Sequence, residues 1–197
     1  MPATMLTSNV ALKEWSIVVE ALAEGKQLIL VRKGGIRDPK GAFQLEHREF
    51  LLYPTLEHQG EKGEAVIRPE FRQQYRGFLT PSQRPCAVGL KVYAGVSYCG
   101  QVQDPARLLG LEKYHIWMPE FFEERMQYRP LRPTLVVVLR AYLLPEPLQL
   151  PVKPEYAGCK SWVPLDENIP IEGAQPVIDN QRFRRALEEI SSRLEGR

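Results

Sequence analysis

The sequence predicts an α+β fold: a mixed or barrel-like β-sheet with helices at both ends of the chain. Three observations carry that expectation. Val88, Leu90, Val92, Ala94, Val96 and Tyr98 alternate with polar or small residues, the period of a strand buried on one face. Thr134 to Leu144 is almost continuously apolar and rich in valine, as a central strand requires. Phe183, Ala186, Leu187, Ile190 and Leu194 recur at helical spacing, which makes the last element an amphipathic helix.

A chain of 197 residues suits a single globular domain, 1–197, able to bury roughly 70% of its unfolded surface. Seventeen prolines favour many short elements joined by rigid corners. The net charge of +2 makes no global electrostatic case for nucleic acid. Between Lys26 and Arg84, however, eleven Lys or Arg stand against seven Asp or Glu, which places a mildly basic face in that part of the chain. Cys86, Cys99 and Cys159 are odd in number and lack CxxC spacing, so they suggest neither a disulfide framework nor a zinc site. With no signal-peptide pattern and no apolar run of membrane length, a cytoplasmic protein with no membrane contact is expected.

In chain order, Ala11, Leu12, Trp15, Val18, Val19 and Leu22 recur at three and four, predicting a helix over Ala11 to Leu22 that stops at Gly25. Gln27 to Val31 suits a buried strand. It delivers Arg32 and Lys33 into Gly34-Gly35, where backbone amides unobstructed by Cβ atoms form either an anion cradle or a tight turn. Phe50-Leu51-Leu52 carries the chain back into the core. Tyr53-Pro54-Thr55 is expected to break that run, with Thr55 capping a short helix that contains Glu57, His58 and Gln59. Pro69 opens a helix with Phe71, Tyr75 and Phe78 on one side, and Arg68, Arg72 and Arg76 make a basic stripe along it. Asp104-Pro105 starts a short helix, Tyr114 to Met118 is extended, and Pro119 opens a helix around Phe121, Phe122 and Met126. Pro145, Pro147, Pro151 and Pro154 punctuate a further extended run from Leu148 to Val152. The turn Gly158-Cys159-Lys160 follows, flanked by Tyr156 and Trp162. Asp179 caps the final helix, and Ile178 and Phe183 occupy its hydrophobic-staple positions.

The residues that carry chemistry concentrate between Lys26 and Gln59. Arg32, Lys33, Gly34 and Gly35 form the anion-site candidate. His47, Arg48 and His58, with Glu46, Glu49 and Glu57 among them, fit either a polar brace or acid-base and metal chemistry, without HExxH or facial-triad spacing. Tyr53 and Trp162 are candidate stacking surfaces. Lys160 adds charge beside Cys159 on the turn Gly158 to Trp162, which is expected to partner the stretch from Lys26 to Gln59. Neither GxxxxGK[ST] nor GxGxxG is present, and no cofactor or metal is implied.

The blocks RKGGI (Arg32 to Ile36), LEHREFLLYPTLEHQ (Leu45 to Gln59) and EYAGCKSWVPL (Glu155 to Leu165) resemble an uncharacterised prokaryotic family, domain of unknown function 1802. The resemblance spans roughly Val10 to Asp166. It implies no activity of its own; the association of some members with restriction-endonuclease domains implies a role near DNA restriction and modification. The opening from Gly25-Lys26 to Arg32 is also similar to the activating-signal-cointegrator homology and pseudouridine-synthase-like β-barrels, which read nucleic acid. Leu30 replaces the acidic residue usual in that group, so its polar pocket does not carry over.

The leading expectation is a module that binds nucleic acid or a nucleotide-like anion, with charge from Arg32 and Lys33 and stacking from Tyr53 or Trp162. A metal-dependent phosphodiesterase built on Glu46, Glu49, Glu57 and His58 is the enzymatic alternative. A protein-interaction module is the third.

Overall fold

The computed structural model describes residues 6–33, 43–57, 61–79, 86–128, 130–132, 134–158 and 160–196. Gly34, Gly35, His58 and Cys159 lie outside them. The first element is a strand, β1 (Thr7–Trp15), and only its continuation, α1 (Ser16–Ala23), is helical. This corrects the single helix expected over Ala11 to Leu22. The apolar spacing there satisfies a helical period, but Ala11 to Trp15 are claimed by a neighbour far along the chain: β3 (Glu49–Thr55) runs parallel to β1, pairing Ala11 with Leu51 and Trp15 with Thr55. Tyr53-Pro54-Thr55 therefore extends β3 rather than breaking it; His58 and Gln59 of the expected short helix lie outside the described residues, and among those described the next helix is α2 (Glu61–Ala65).

The remaining strands are β2 (Ile29–Arg32), β4 (Ala87–Val102), β5 (Thr134–Pro151), β6 (Trp162–Pro170) and β7 (Gln175–Pro176). Together they form a mixed sheet in the order β2-β5-β4-β3-β1-β6, with β7 added beside β5. The two strands expected around Pro145 are one. Val92 pairs with Leu143 and Leu90 with Leu148, so a single residue on β4 faces a four-residue bulge that carries Pro145 and Pro147 out of the ladder. Proline is tolerated in a bulge because no ladder hydrogen bond needs its missing N–H.

Strand parity divides the apolar residues. Leu12, Phe50, Leu52, Val92, Ala94 and Val136 join α1, α3 (Pro69–Leu79), α4 (Pro119–Gln127) and α5 (Asn180–Glu195) in the main core. Ala11, Leu51, Tyr53, Leu90, Leu150 and Val163 form a smaller cluster on the opposite face. The sheet also curls. Arg32, on edge strand β2, donates to the Lys13 carbonyl (3.2 Å) and the Glu14 carboxylate (3.0 Å) on β1, and to Ser161 Oγ (2.8 Å) at the start of edge strand β6. One guanidinium thus ties the two edges together, which is the barrel-like character of the fold.

The C-terminal expectations hold. Asp179 accepts from the Arg182 N–H at 2.8 Å as the cap of α5, and Ile178 and Phe183 are both buried. Gly25 ends α1 with φ +67°, and a Cβ there would lie 2.7 Å from Ile178 Cγ2, so this glycine permits both the turn and the close approach of α5's entry segment.

Candidate functional site: a cleft beside Lys13 and Tyr53

Successive residues of β1 point to opposite faces, and this separates the dipeptide Lys13-Glu14. Glu14 meets Arg32 at the closing seam, both side chains being mostly buried. Lys13 points the other way, toward its cross-strand neighbour Tyr53. Its ammonium lies 5.8 Å from the Tyr53 ring centre, and the residue is 6% exposed. A cation that deep needs partners, and it has two: the Gly158 carbonyl at 2.9 Å and Glu57 Oε2 at 3.2 Å. Glu57 Oε1 in turn accepts from the Gly158 N–H at 3.1 Å.

This network forms one wall of a cleft of about 920 Å³. Ser16, Val19 and Glu20 of α1, the C-terminal turn of α3 (Gly77, Phe78, Leu79), the start of β4 and the late part of β5, including Gln149, line the rest. The walls are mainly apolar and aromatic. Tyr53 and Tyr156 meet edge to face, ring centres 6.1 Å apart, and Phe78 and Val88 lie in the same lining. Of the charges on the wall, Lys91 is paired with Glu20 at 2.5 Å and Lys13 with Glu57. Tyr53 is 5% exposed, and burial, with smaller contributions from Glu57 and Tyr156, raises its phenol pKa. It is therefore a protonated O–H at neutral pH, and that hydroxyl has no hydrogen-bond partner among the described residues. The Gln149 side chain is exposed in the same lining. The cleft thus combines flat apolar walls with a few unengaged donors and acceptors, the composition of a site for a small planar ligand.

The residues expected to bind an anion are placed differently. Arg32 is held at the seam and lies over the Phe43 ring at 4.9 Å. Lys33 is 3% exposed and donates to the Met126 carbonyl at 2.7 Å; burial, then the positive charge of Arg125, lowers its pKa. Neither presents charge to solvent as an anion cradle would, because each satisfies carbonyls or a carboxylate that burial would otherwise leave unpaired. The basic stripe is also engaged internally: Arg68 with Glu70, Arg72 with the Ile67 carbonyl and Arg76 with Glu64. Lys160 donates to the Glu155 carbonyl. Trp162 Nε1 donates to the Gln44 carbonyl at 2.8 Å, and its ring packs against Phe43, His47 and Phe50. His47 is exposed on the outer side of that ring, and Arg48 is exposed next to it.

The turn from Gly158 to Trp162 and the stretch from Lys26 to Gln59 do meet, through Glu57 with Gly158 and through Gln44 and His47 with Trp162. The expected acidic set does not assemble: Glu57 is paired with Lys13, Glu49 interacts with the Tyr93 hydroxyl, and Glu46 is exposed. Among the described residues no three His, Cys, Asp or Glu side chains come together as metal ligands. No helix among them is long and apolar enough to cross a membrane.

The model of the domain of unknown function DUF1802 matches residues 11–189. The chain belongs to the DUF1802 family. No curated protein matches it. Two solved structures are similar in part: ASCH from Zymomonas mobilis, at 11% identity over 91% of this chain and 93% of that one with a TM-score of 0.44, and a mutant form of ASCH from the same organism, at 11% identity over 93% and 99% with a TM-score of 0.39. Both scores are too low for the likeness to fix a site or an activity. For this DUF1802 chain the cleft is the candidate site, and of its main polar residues the sequence singled out Tyr53 and Glu57. Lys13 carried a signal, a lysine inside the apolar run VALKEW. Gln149, Phe78 and Tyr156 carried none, because what unites them is the pairing of β1, β3, β4 and β5 together with the packing of α3 on α1.

Proposed function

We propose that this DUF1802 chain is a binding module for single-stranded nucleic acid or a free nucleotide, and that it receives one nucleobase in the cleft between Tyr53, Phe78, Tyr156 and Gln149. The observation that carries this reading is the pairing of aromatic walls with the unengaged Tyr53 hydroxyl and Gln149 amide in a cleft large enough for a base. A purine or pyrimidine offers a π-face to the walls and hydrogen-bonding edges to the two polar groups. The engagement of Arg32, Lys33, Arg68, Arg72, Arg76 and Lys160 in internal contacts favours recognition through the base over recognition through a run of phosphates. The association with restriction-endonuclease domains that the family resemblance implies makes single-stranded DNA the first polymer to test.

Gly77 supplies the test. It is exposed on α3 at the cleft wall, and a Cβ placed on it meets nothing within 4 Å. Gly77→Phe fills the cleft without touching the core, whereas Gly77→Ala leaves it open. Fluorescence anisotropy with labelled single-stranded oligonucleotides is expected to show binding by the native chain and Gly77→Ala, and loss of binding by Gly77→Phe. Equal affinity in all three places the binding surface elsewhere.

A further inference from the structure

The contacts around Glu57 describe a receptor as well as an ion pair. The Glu57 carboxylate is held at two points, by the Lys13 ammonium at 3.2 Å and by the Gly158 N–H at 3.1 Å. The receiving side is fixed. Lys13 is 6% exposed within β1, which is flanked by β3 and β6, and Gly158 holds φ +90°. The carboxylate side is not: the Glu57 side chain is 37% exposed at the cleft, just past the end of β3. Its main chain is tied locally by donation to Thr55 Oγ1 at 3.1 Å. Returning an already half-hydrated carboxylate to water costs little, while the buried ammonium it leaves behind requires another anion.

We propose that the Lys13 ammonium and the Gly158 N–H form an oxyanion site, filled in the free protein by Glu57 and taken over by the phosphate of a nucleotide whose base lies in the adjoining cleft. The proposal rests on the base-binding reading for its ligand class. A phosphomonoester suits the exchange better than a carboxylate, since it carries a higher charge and a further oxygen toward the cleft, where the Tyr53 hydroxyl lines the same wall. Glu57 is then a built-in competitor, and removing it opens the site.

Inorganic phosphate is the direct probe, by isothermal titration and by melting in phosphate against chloride at matched ionic strength. Native protein is expected to bind phosphate weakly, and Glu57→Ala to bind it about tenfold tighter or more, the scale of one charge-assisted contact no longer in competition. Phosphate, and not chloride, restores the melting temperature that Glu57→Ala loses, and Lys13→Met in the Glu57→Ala background abolishes both effects. If Glu57→Ala is too unstable to purify, Glu57→Gln keeps an acceptor for Gly158 without the charge and is expected to show a smaller gain. A Glu57 variant with no gain in phosphate affinity and no phosphate-specific rescue overturns the proposal, as does a gain that survives Lys13→Met. Inorganic phosphate has no base and a nucleoside has no phosphate, so the two readings fail separately: nucleoside binding without phosphate binding removes the oxyanion site alone, and phosphate binding without nucleoside binding removes the base site alone.

Discussion

Acid should destabilise this fold through His115. The residue is 1% exposed, packed edge to face on Phe122 with ring centres 4.9 Å apart. Its Nδ1 accepts from the Trp117 N–H at 3.2 Å, which puts the proton of the neutral ring on Nε2. That nitrogen is buried, and among the described residues no acceptor meets it at full hydrogen-bond geometry. Burial first, and the positive charge of Arg68 second, lower the pKa from 6.5 to about 4, with the Leu108 carbonyl and Glu112 opposing in part. Between those two values the unfolded chain holds a proton that the native state refuses, so stability falls as pH drops from 6.5 toward 4 and is flat with respect to this group above and below. At about 1.4 kcal/mol per pKa unit, the full loss is about 3 kcal/mol. Glu24, Glu64, Glu112 and Glu189, whose pKa values are lowered from 4.5, give up their stabilisation only below that value and so overlap little with the upper part of the window. Urea unfolding followed by tryptophan fluorescence at a series of pH values compares native protein with His115→Asn, whose side-chain oxygen replaces Nδ1 as acceptor. The variant is expected to be less stable at neutral pH, where ring packing is lost, and the gap should close by about 2 to 3 kcal/mol by about pH 4.5. Parallel stability curves for the two proteins would refute the assignment.

Arg32→Ala leaves Glu14 without its partner at the closing seam and is expected to cost about 3 kcal/mol or more. The double variant Arg32→Met with Glu14→Leu should cost less than that single change, and urea midpoints near native for Arg32→Ala would show that the seam is not held by this residue. Gly25→Ala forces an L-residue to φ +67° against Ile178; a loss of about 2 kcal/mol is expected, and an unchanged melting temperature argues against that packing. Asp179→Ala removes the cap of α5 and should cost about 1 kcal/mol, with Asp179→Ser retaining most of it.

The elements legible in the sequence are those whose determinants are local. The cap Asp179, the staple Ile178 and Phe183 and the stripe through Leu194 lie within a few turns of one another, and the alternation from Val88 to Tyr98 needs only one strand to be seen. The β1 segment misleads because Ala11, Leu12 and Trp15 fit two periods, and the choice is made by Leu51 to Thr55, about forty residues away. Pro145 and Pro147 look like breaks until β4 is placed opposite them. The charge at Arg32 and Lys33 is plain in the sequence, but Glu14, Ser161 and Met126, which absorb it, are not adjacent in the chain. The cleft is the extreme case, since Lys13, Tyr53, Phe78, Gln149 and Gly158 are gathered only by the sheet and the helices packed on it.

The most direct test of the cleft as a base-binding site is a ¹⁵N–¹H correlation titration of the native chain with nucleosides, which carry no phosphate. Shifts centred on Lys13, Tyr53, Gly77, Phe78 and Gln149, abolished in Gly77→Phe, are the predicted result. Shifts centred on the His47, Arg48 and Trp162 surface, or none at saturating nucleoside, would contradict it.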